Sequence, residues 1–336
     1  MYPKSISRFL ICCLISGIFV MSCQRNTSQI SKRTISFDAG WLFHKGSAEG
    51  AQQMDFADSG WRSLDLPHDW GIEDLPGQNG ATVNGPFSRD AIGKMRTGYT
   101  TGGTGWYRKH FTVDPRDAGK TAYIQFDGVY MIADVWVNGH HAGTHNYGYT
   151  SFWYDITPYL NASGQDNVIA VQVKNEGVNS RWYSGSGIYR HTWLTLVSPL
   201  HIQPWGVHVI TPEIEAHQAR INIKASIRNS GTNDVPFTCT FKIFNPVGIE
   251  VGQSTMDFSL KAGSDAVLGQ TINIDQPALW SIDDPQRYQA SVEILVNDLA
   301  DDQLTIPFGI RSLHFDTTGF TLNGENILLK GGCFHH

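Results

Sequence analysis

From Ile35 onward, apolar and polar residues alternate in short runs, the two-residue period of half-buried strands. Trp106 to Phe111, Ala122 to Gly128, Ala133 to Val137, Phe152 to Thr157 and Asn167 to Val173 each read as one strand. The third runs into Asn138-Gly139, a pair that accepts the positive φ of a tight hairpin turn. Ile35 to Phe43 and Trp61 to Trp70 are strand-like pieces broken by Gly and Pro, and a Gly-rich stretch from Gly71 to Gly105 separates them from the main run. Loops of that length are usually functional or disordered. Val207 to Ile210, Ala219 to Ile227, Thr238 to Phe244 and Gln289 to Val296 repeat the pattern further on. Phe308 to Asn326 alternates again up to Asn323-Gly324, and the apolar Ile327 to Lys330 is expected to be the strand that follows. Regularly spaced strands with few helix-period segments predict an all-β chain, with one β-sandwich over residues 34–199 and an immunoglobulin-like one over 200–307.

Composition agrees with that picture and narrows the partners. The 336 residues are 41% hydrophobic and 12% aromatic, enough for two sizeable cores. A net charge of −6, with no run of like charges, argues against nucleic acid as a partner. At the amino terminus, Lys4 and Arg8 precede an apolar core, Phe9 to Val20, that is too short to span a bilayer as an ordinary helix. Residues 1–22 therefore read as an export signal and the polar 23–33 as a tether. Val20-Met21-Ser22-Cys23 resembles the lipobox of bacterial lipoproteins, which implies a lipid on Cys23 and a place at the bacterial cell envelope. An ordinary secretory signal, with no role for Cys23, is the alternative. Two further cysteines, Cys239 and Cys333, fall in different predicted domains and make no disulfide framework.

Four strings carry a family resemblance: Leu66-Pro67-His68-Asp69-Trp70, Gly105-Trp106-Tyr107-Arg108-Lys109, Val135-Trp136-Val137-Asn138-Gly139, and Ser180 through Gly187-Ile188-Tyr189-Arg190. With Leu328-Leu329-Lys330-Gly331-Gly332-Cys333-Phe334-His335-His336 after them, they resemble glycoside hydrolase family 2, which includes β-galactosidases, β-glucuronidases and β-mannosidases. The resemblance implies a galactose-binding-like jelly roll over 34–199 and makes 308–336 the start of a (β/α)8 catalytic barrel. Such a barrel takes about 250 residues and holds its active site at the carboxyl ends of its strands. Only its first strand fits here.

Glycoside hydrolysis needs two carboxyl groups flanking the scissile bond, about 5–5.5 Å apart in retaining enzymes. The resemblance implies a retaining reaction on a β-linked glycoside or oligosaccharide, with both glutamates on later barrel strands. The expectation is therefore no catalytic residue in this chain, no activity on its own, and no cofactor or metal. Asn175-Glu176 copies the pair that carries the family's acid/base, but it follows a sandwich strand and reads as a strand-end turn. By resemblance, His335 falls where a barrel-mouth histidine hydrogen-bonds a sugar hydroxyl, although Gly332-Cys333 replaces the usual Val-Asn. His336 is its neighbour, and adjacent residues on an extended chain point apart, which disfavours a shared metal. Asn179, Arg181, Trp182 and Tyr183 form the other candidate site, an aromatic and a guanidinium able to stack on and hydrogen-bond a sugar. Packing is an equal reading of Trp182 and Tyr183. His68-Asp69-Trp70 reads as a turn over a buried tryptophan, with no nucleophile beside it. A lipid-anchored module that binds glycans or a protein without hydrolysis is the second functional class.

Overall fold

The computed structural model describes residues 33–75, 85–177, 185–215 and 217–333. The first strands are β1 (Thr34–Ser36), β2 (Trp41–Lys45), β3 (Arg62–Leu64), β4 (Gly103–Thr112), β5 (Thr121–Phe126), β6 (Ile132–Val137), β7 (His140–His145), β8 (Phe152–Asp155), β9 (Asp166–Asn175) and β10 (Thr192–Val197). They build two facing antiparallel sheets, β1-β10-β5-β8 and β3-β2-β4-β9-β6-β7, a jelly-roll sandwich. Between the sheets lie Trp41, Phe43, Tyr107, Ile124, Phe126, Val135, Val137, Ile169 and Val171, all buried. Asn138 (φ 51°) and Gly139 (φ 83°) make the β6–β7 turn that the sequence anticipates.

β4 sits inside the six-stranded sheet and is covered on both faces. Tyr107 and Phe111 point into the core. On the other face Trp106 stacks on Trp136, with ring centroids 5.5 Å apart. Beside it the fully buried Arg108 meets Asp58 at 2.7 Å and the carbonyls of Ala51, Gln53 and Met54. A buried guanidinium is tolerable only when charge and donors are both matched, as here. Lys109 caps Phe37 and Ala39 carbonyls at 2.7 Å each, and burial lowers its pKa to about 8.

The second unit holds β11 (Leu200–Ile214), β12 (Gln218–Asn229), β13 (Val235–Phe244), β14 (Glu250–Leu260), β15 (Asp265–Asp275), β16 (Tyr288–Val296) and β17 (Leu299–Phe308). Sheets β11-β12-β15 and β14-β13-β16-β17 pack as an immunoglobulin-like sandwich. Ala219, Ile221, Ile223, Ala225 and Ile227 of β12 alternate inward against Phe237, Cys239, Phe241 and Ile243 of β13. Cys239 is a buried thiol, its pKa pushed up to about 12 by burial, and Cys333 is an exposed one.

A small sheet follows: β18 (Leu313–Asp316), β19 (Gly319–Leu322) and β20 (Glu325–Asn326), turned at Asn323 (φ 53°) and Gly324 (φ 83°). The expected strand over Ile327 to Lys330 is not formed. Ile327 donates to Phe320 O at 2.9 Å, and after it no ladder continues among the described residues. A strand exists only by pairing, so apolar alternation alone leaves Leu328 and Leu329 extended and 79% and 65% exposed.

Candidate functional site

All the residues singled out for ligand contact or lipidation, Asn179, Arg181, Trp182, Tyr183, His335, His336 and Cys23, lie outside the described residues. The structure does describe both stems of the 178–184 segment. One is the end of β9, where Asn175 donates to Ser186 Oγ at 2.7 Å and to Gly185 O at 3.2 Å. The other stem is Gly185 to Ile188, tied back to β4 and to the Leu-Pro-His-Asp-Trp turn. Glu176 accepts from the Thr104 hydroxyl, so Asn175-Glu176 is a latch at a strand end.

The turn holds this second stem through Asp69. Its Oδ1 accepts from Gly71 N at 2.7 Å and Ser186 N at 2.6 Å, bridging residues 117 apart in sequence. Burial raises the Asp69 pKa, and the two N–H donors, which favour the anion, offset only part of that. The backbone completes the clamp: His68 N donates to Ile188 O at 2.8 Å, and Trp70 N to Ser186 O at 2.9 Å. Trp70 is buried, as the sequence implies, and its indole N–H donates to Gly102 O at 3.2 Å.

His68 lies behind this clamp with Tyr107 on one side and a charge pair on the other. Its Nε2 is 2.9 Å from Glu73 Oε1, and its Nδ1 is 2.7 Å from the Tyr107 hydroxyl. Nε2 also lies 2.8 Å from Arg62 Nη2, so it is shared between a guanidinium that can only donate and a carboxylate that can only accept. Arg62 closes the cluster on Glu73 at 2.6 Å. Burial pulls the His68 pKa below its ordinary value, against the pull of Glu73. Burial acts to raise Glu73, but hydrogen bonds from Arg62 and His68 outweigh it and hold the carboxyl low. Glycines let the parts approach. A Cβ on Gly187 (φ 132°) would strike the Tyr107 hydroxyl and His68 O, and one on Gly185 would strike the Asp69 carboxylate.

This network is a positioning device. Every carboxylate in it is committed to a partner, and among the described residues no group of three His, Cys, Asp or Glu side chains could hold a metal. The quoted strings contain His68, Asp69, Tyr107, Ser186 and Gly187, but their mutual contact does not show in the sequence, because it spans well over a hundred residues. Glu73 and the role of Asn175 carry no sequence signal at all.

Comparison with known proteins gives the same two units. Residues 60–197 match the family described as Glycosyl hydrolases family 2, sugar binding domain, and residues 201–311 match Glycosyl hydrolases family 2. The chain is 41% identical over 314 residues to the Beta-galactosidase BoGH2A of Bacteroides ovatus, covering 93% of this chain and 36% of that one. It is 36% identical to a putative beta-glucuronidase of Formosa agariphila, over 89% of this chain and 27% of the relative. Among solved structures, a glycosyl hydrolase family 2 member from Bacteroides cellulosilyticus superposes with a TM-score of 0.84 at 43% identity, over 90% of this chain and 39% of that one. The chain thus spans roughly a third of the length of the relatives it matches.

Proposed function

The chain belongs to glycosyl hydrolases family 2, and from that premise we propose that it supplies glycan recognition, and not bond cleavage, to a retaining β-glycosidase of β-galactosidase type. One observation carries the reading: the two family-2 matches run consecutively through both sandwiches, the first of them the family's sugar-binding domain. The site geometry supports it. A retaining mechanism needs two carboxyl groups about 5–5.5 Å apart, one free to donate a proton. Around the 178–184 stems, Asp69 is held by two backbone N–H groups, Glu73 by Arg62 and His68, and Glu176 by Thr104. In this reading none of them protonates a leaving group. The substrate-facing residues in this reading are Asn179, Arg181, Trp182 and His335, acting on a β-linked glycoside. The purified 336-residue chain, incubated with an aryl β-galactoside, is expected to show no release above a buffer blank; turnover free of host enzyme overturns the proposal.

The leader supports a second part of the same reading, export and lipid anchoring at the bacterial envelope through Cys23. Expressed in a bacterial host, the chain is expected to incorporate labelled palmitate and fractionate with membranes. Cys23→Ser should lose the label; a labelled C23S variant refutes the anchor.

A further inference from the structure

The Gly-rich stretch between the turn and β4 holds a closed loop that no quoted string covers. Phe87 and Thr100 form an antiparallel bridge across its legs, Ser88 N donates to Tyr99 O at 2.8 Å, and Thr101 N donates to Pro86 O at 3.2 Å. A 3-10 turn, Lys94–Thr97, fills the tip. At the root, Gly102 accepts from the Trp70 indole, and its Cα lies so close to Asn175 O that a Cβ would collide with it. The loop therefore shares its base with a stem of the 178–184 segment.

The loop borders a cavity of about 680 Å³, open to the surface and lined by Phe87, Ser88, Arg89, Lys94, Gly98 and Tyr99. That volume lies within the range of roughly 300–1,000 Å³ typical of small-molecule sites. Phe87 and Tyr99 keep 51% and 41% of their surface exposed, which leaves ring face available to a ligand. Neither Arg89 nor Lys94 has an ion-pair partner among the described residues. Residues 85–102 carry three cations, Arg89, Lys94 and Arg96, against one carboxylate, Asp90, in a chain whose net charge is −6. Two of the lining residues, Lys94 (φ 45°) and Tyr99 (φ 60°), hold left-handed backbone that costs a non-glycine residue free energy and gathers at functional sites.

From this combination we infer that the loop cavity is a subsite for a sugar bearing an anionic substituent. The Phe87 and Tyr99 rings pack on the apolar face of a pyranose, Arg89 takes the oxyanion with its planar fork, and Lys94 adds a point charge. The inference rests on the glycan-recognition reading above and specifies its ligand. A uronate carboxylate and a sulfate ester share the required chemistry.

The test measures affinities of the full chain by calorimetry at low salt for three probes. They are a β-linked oligosaccharide ending in glucuronate, a sulfated galacto-oligosaccharide, and its desulfated counterpart. At least one acidic probe is expected to bind tenfold or more tighter than the neutral one. Arg89→Gln/Lys94→Gln is expected to abolish that preference, and Arg89→Lys/Lys94→Arg to restore part of it, with circular dichroism confirming that each variant is folded. The tighter acidic probe identifies the substituent. Equal binding of all three probes, or a preference that survives in R89Q/K94Q, overturns the subsite while leaving glycan recognition standing. Binding of none refutes both.

Discussion

The polar side chains His68, Glu73, Asp69 and Tyr107 of the first sandwich hold one another and the nearby backbone. The pH dependence of stability follows from them. Burial depresses His68, so the unfolded chain takes up the proton first as pH falls below about 6.5. The stabilising contribution of the neutral ring is full above that value and is lost toward its lower folded pKa. His201 behaves alike. Its Nδ1 donates to Ser198 O at 2.8 Å, so Nε2 must accept the Tyr123 hydroxyl at 2.8 Å, and burial disfavours the imidazolium. His110 has the opposite sign: burial lowers it, but Asp166 and Asp58 outweigh that and raise its pKa, stabilising the fold at low pH. Because these terms oppose, a variant must be compared with its parent. His68→Gln is expected to shrink the stability lost between pH 7 and pH 5, measured by urea midpoints at each pH. A loss equal to the parent's would mean that His68 is not held neutral.

At the level of elements, β4 shows why a short motif can matter without chemistry. Its consecutive residues serve two faces, Tyr107 anchoring the loop stem and Arg108 binding the turn of residues 51–58. Strand alternation made β4, β6, β9, β12 and β13 legible, since each has one strongly apolar face. β14, β15 and β17 were not, because their polar residues interrupt the alternation. β17 even carries Pro307, a residue without a ladder donor, which is tolerated at the edge where β17 lies. The stem after the 178–184 segment depends on Gly187, whose φ of 132° and crowded Cα leave no room for a side chain. Gly187→Ala is expected to cost more than about 2 kcal/mol, from backbone strain plus overpacking against Tyr107. Thermal unfolding checks this; a melting temperature within a degree of the parent's would show that the clamp is looser than its geometry.

Across the whole molecule, the two sandwiches meet through a polar junction. Arg33, 11% exposed, pairs with Asp302, 4% exposed, and also binds Ile202 O; Asp302 in turn accepts from Ile202 N at 2.8 Å. Thr121 meets Ser230 at 2.7 Å, Tyr123 meets His201, and Ser198 meets Asp301 at 2.9 Å. Breaking a buried pair by removing one partner leaves an uncompensated charge and costs about 3–5 kcal/mol. Asp302→Ala should therefore lower stability by that amount and separate the unfolding of the two cores. Calorimetry is expected to show one transition for the parent and two for D302A; a single unshifted transition would mean that the junction couples nothing.

The sequence by itself determined the class of the fold, the two sandwiches and the family, because these rest on local periodicity, turn chemistry and short strings that are readable in order along the chain. It also gave Asn138-Gly139 and Asn323-Gly324 their turns, since positive φ is a local preference. Only the tertiary structure decided what the strings are for. Asp69 finds Ser186, Tyr107 finds His68, and Arg33 finds Asp302 across separations of 117, 39 and 269 residues. Nor did periodicity decide whether Ile327 to Lys330 forms a strand, because a ladder needs a partner as well as a pattern. The first two contacts are fixed by how the strands of one sandwich assemble and the third by how the two sandwiches meet, and no local propensity encodes any of them.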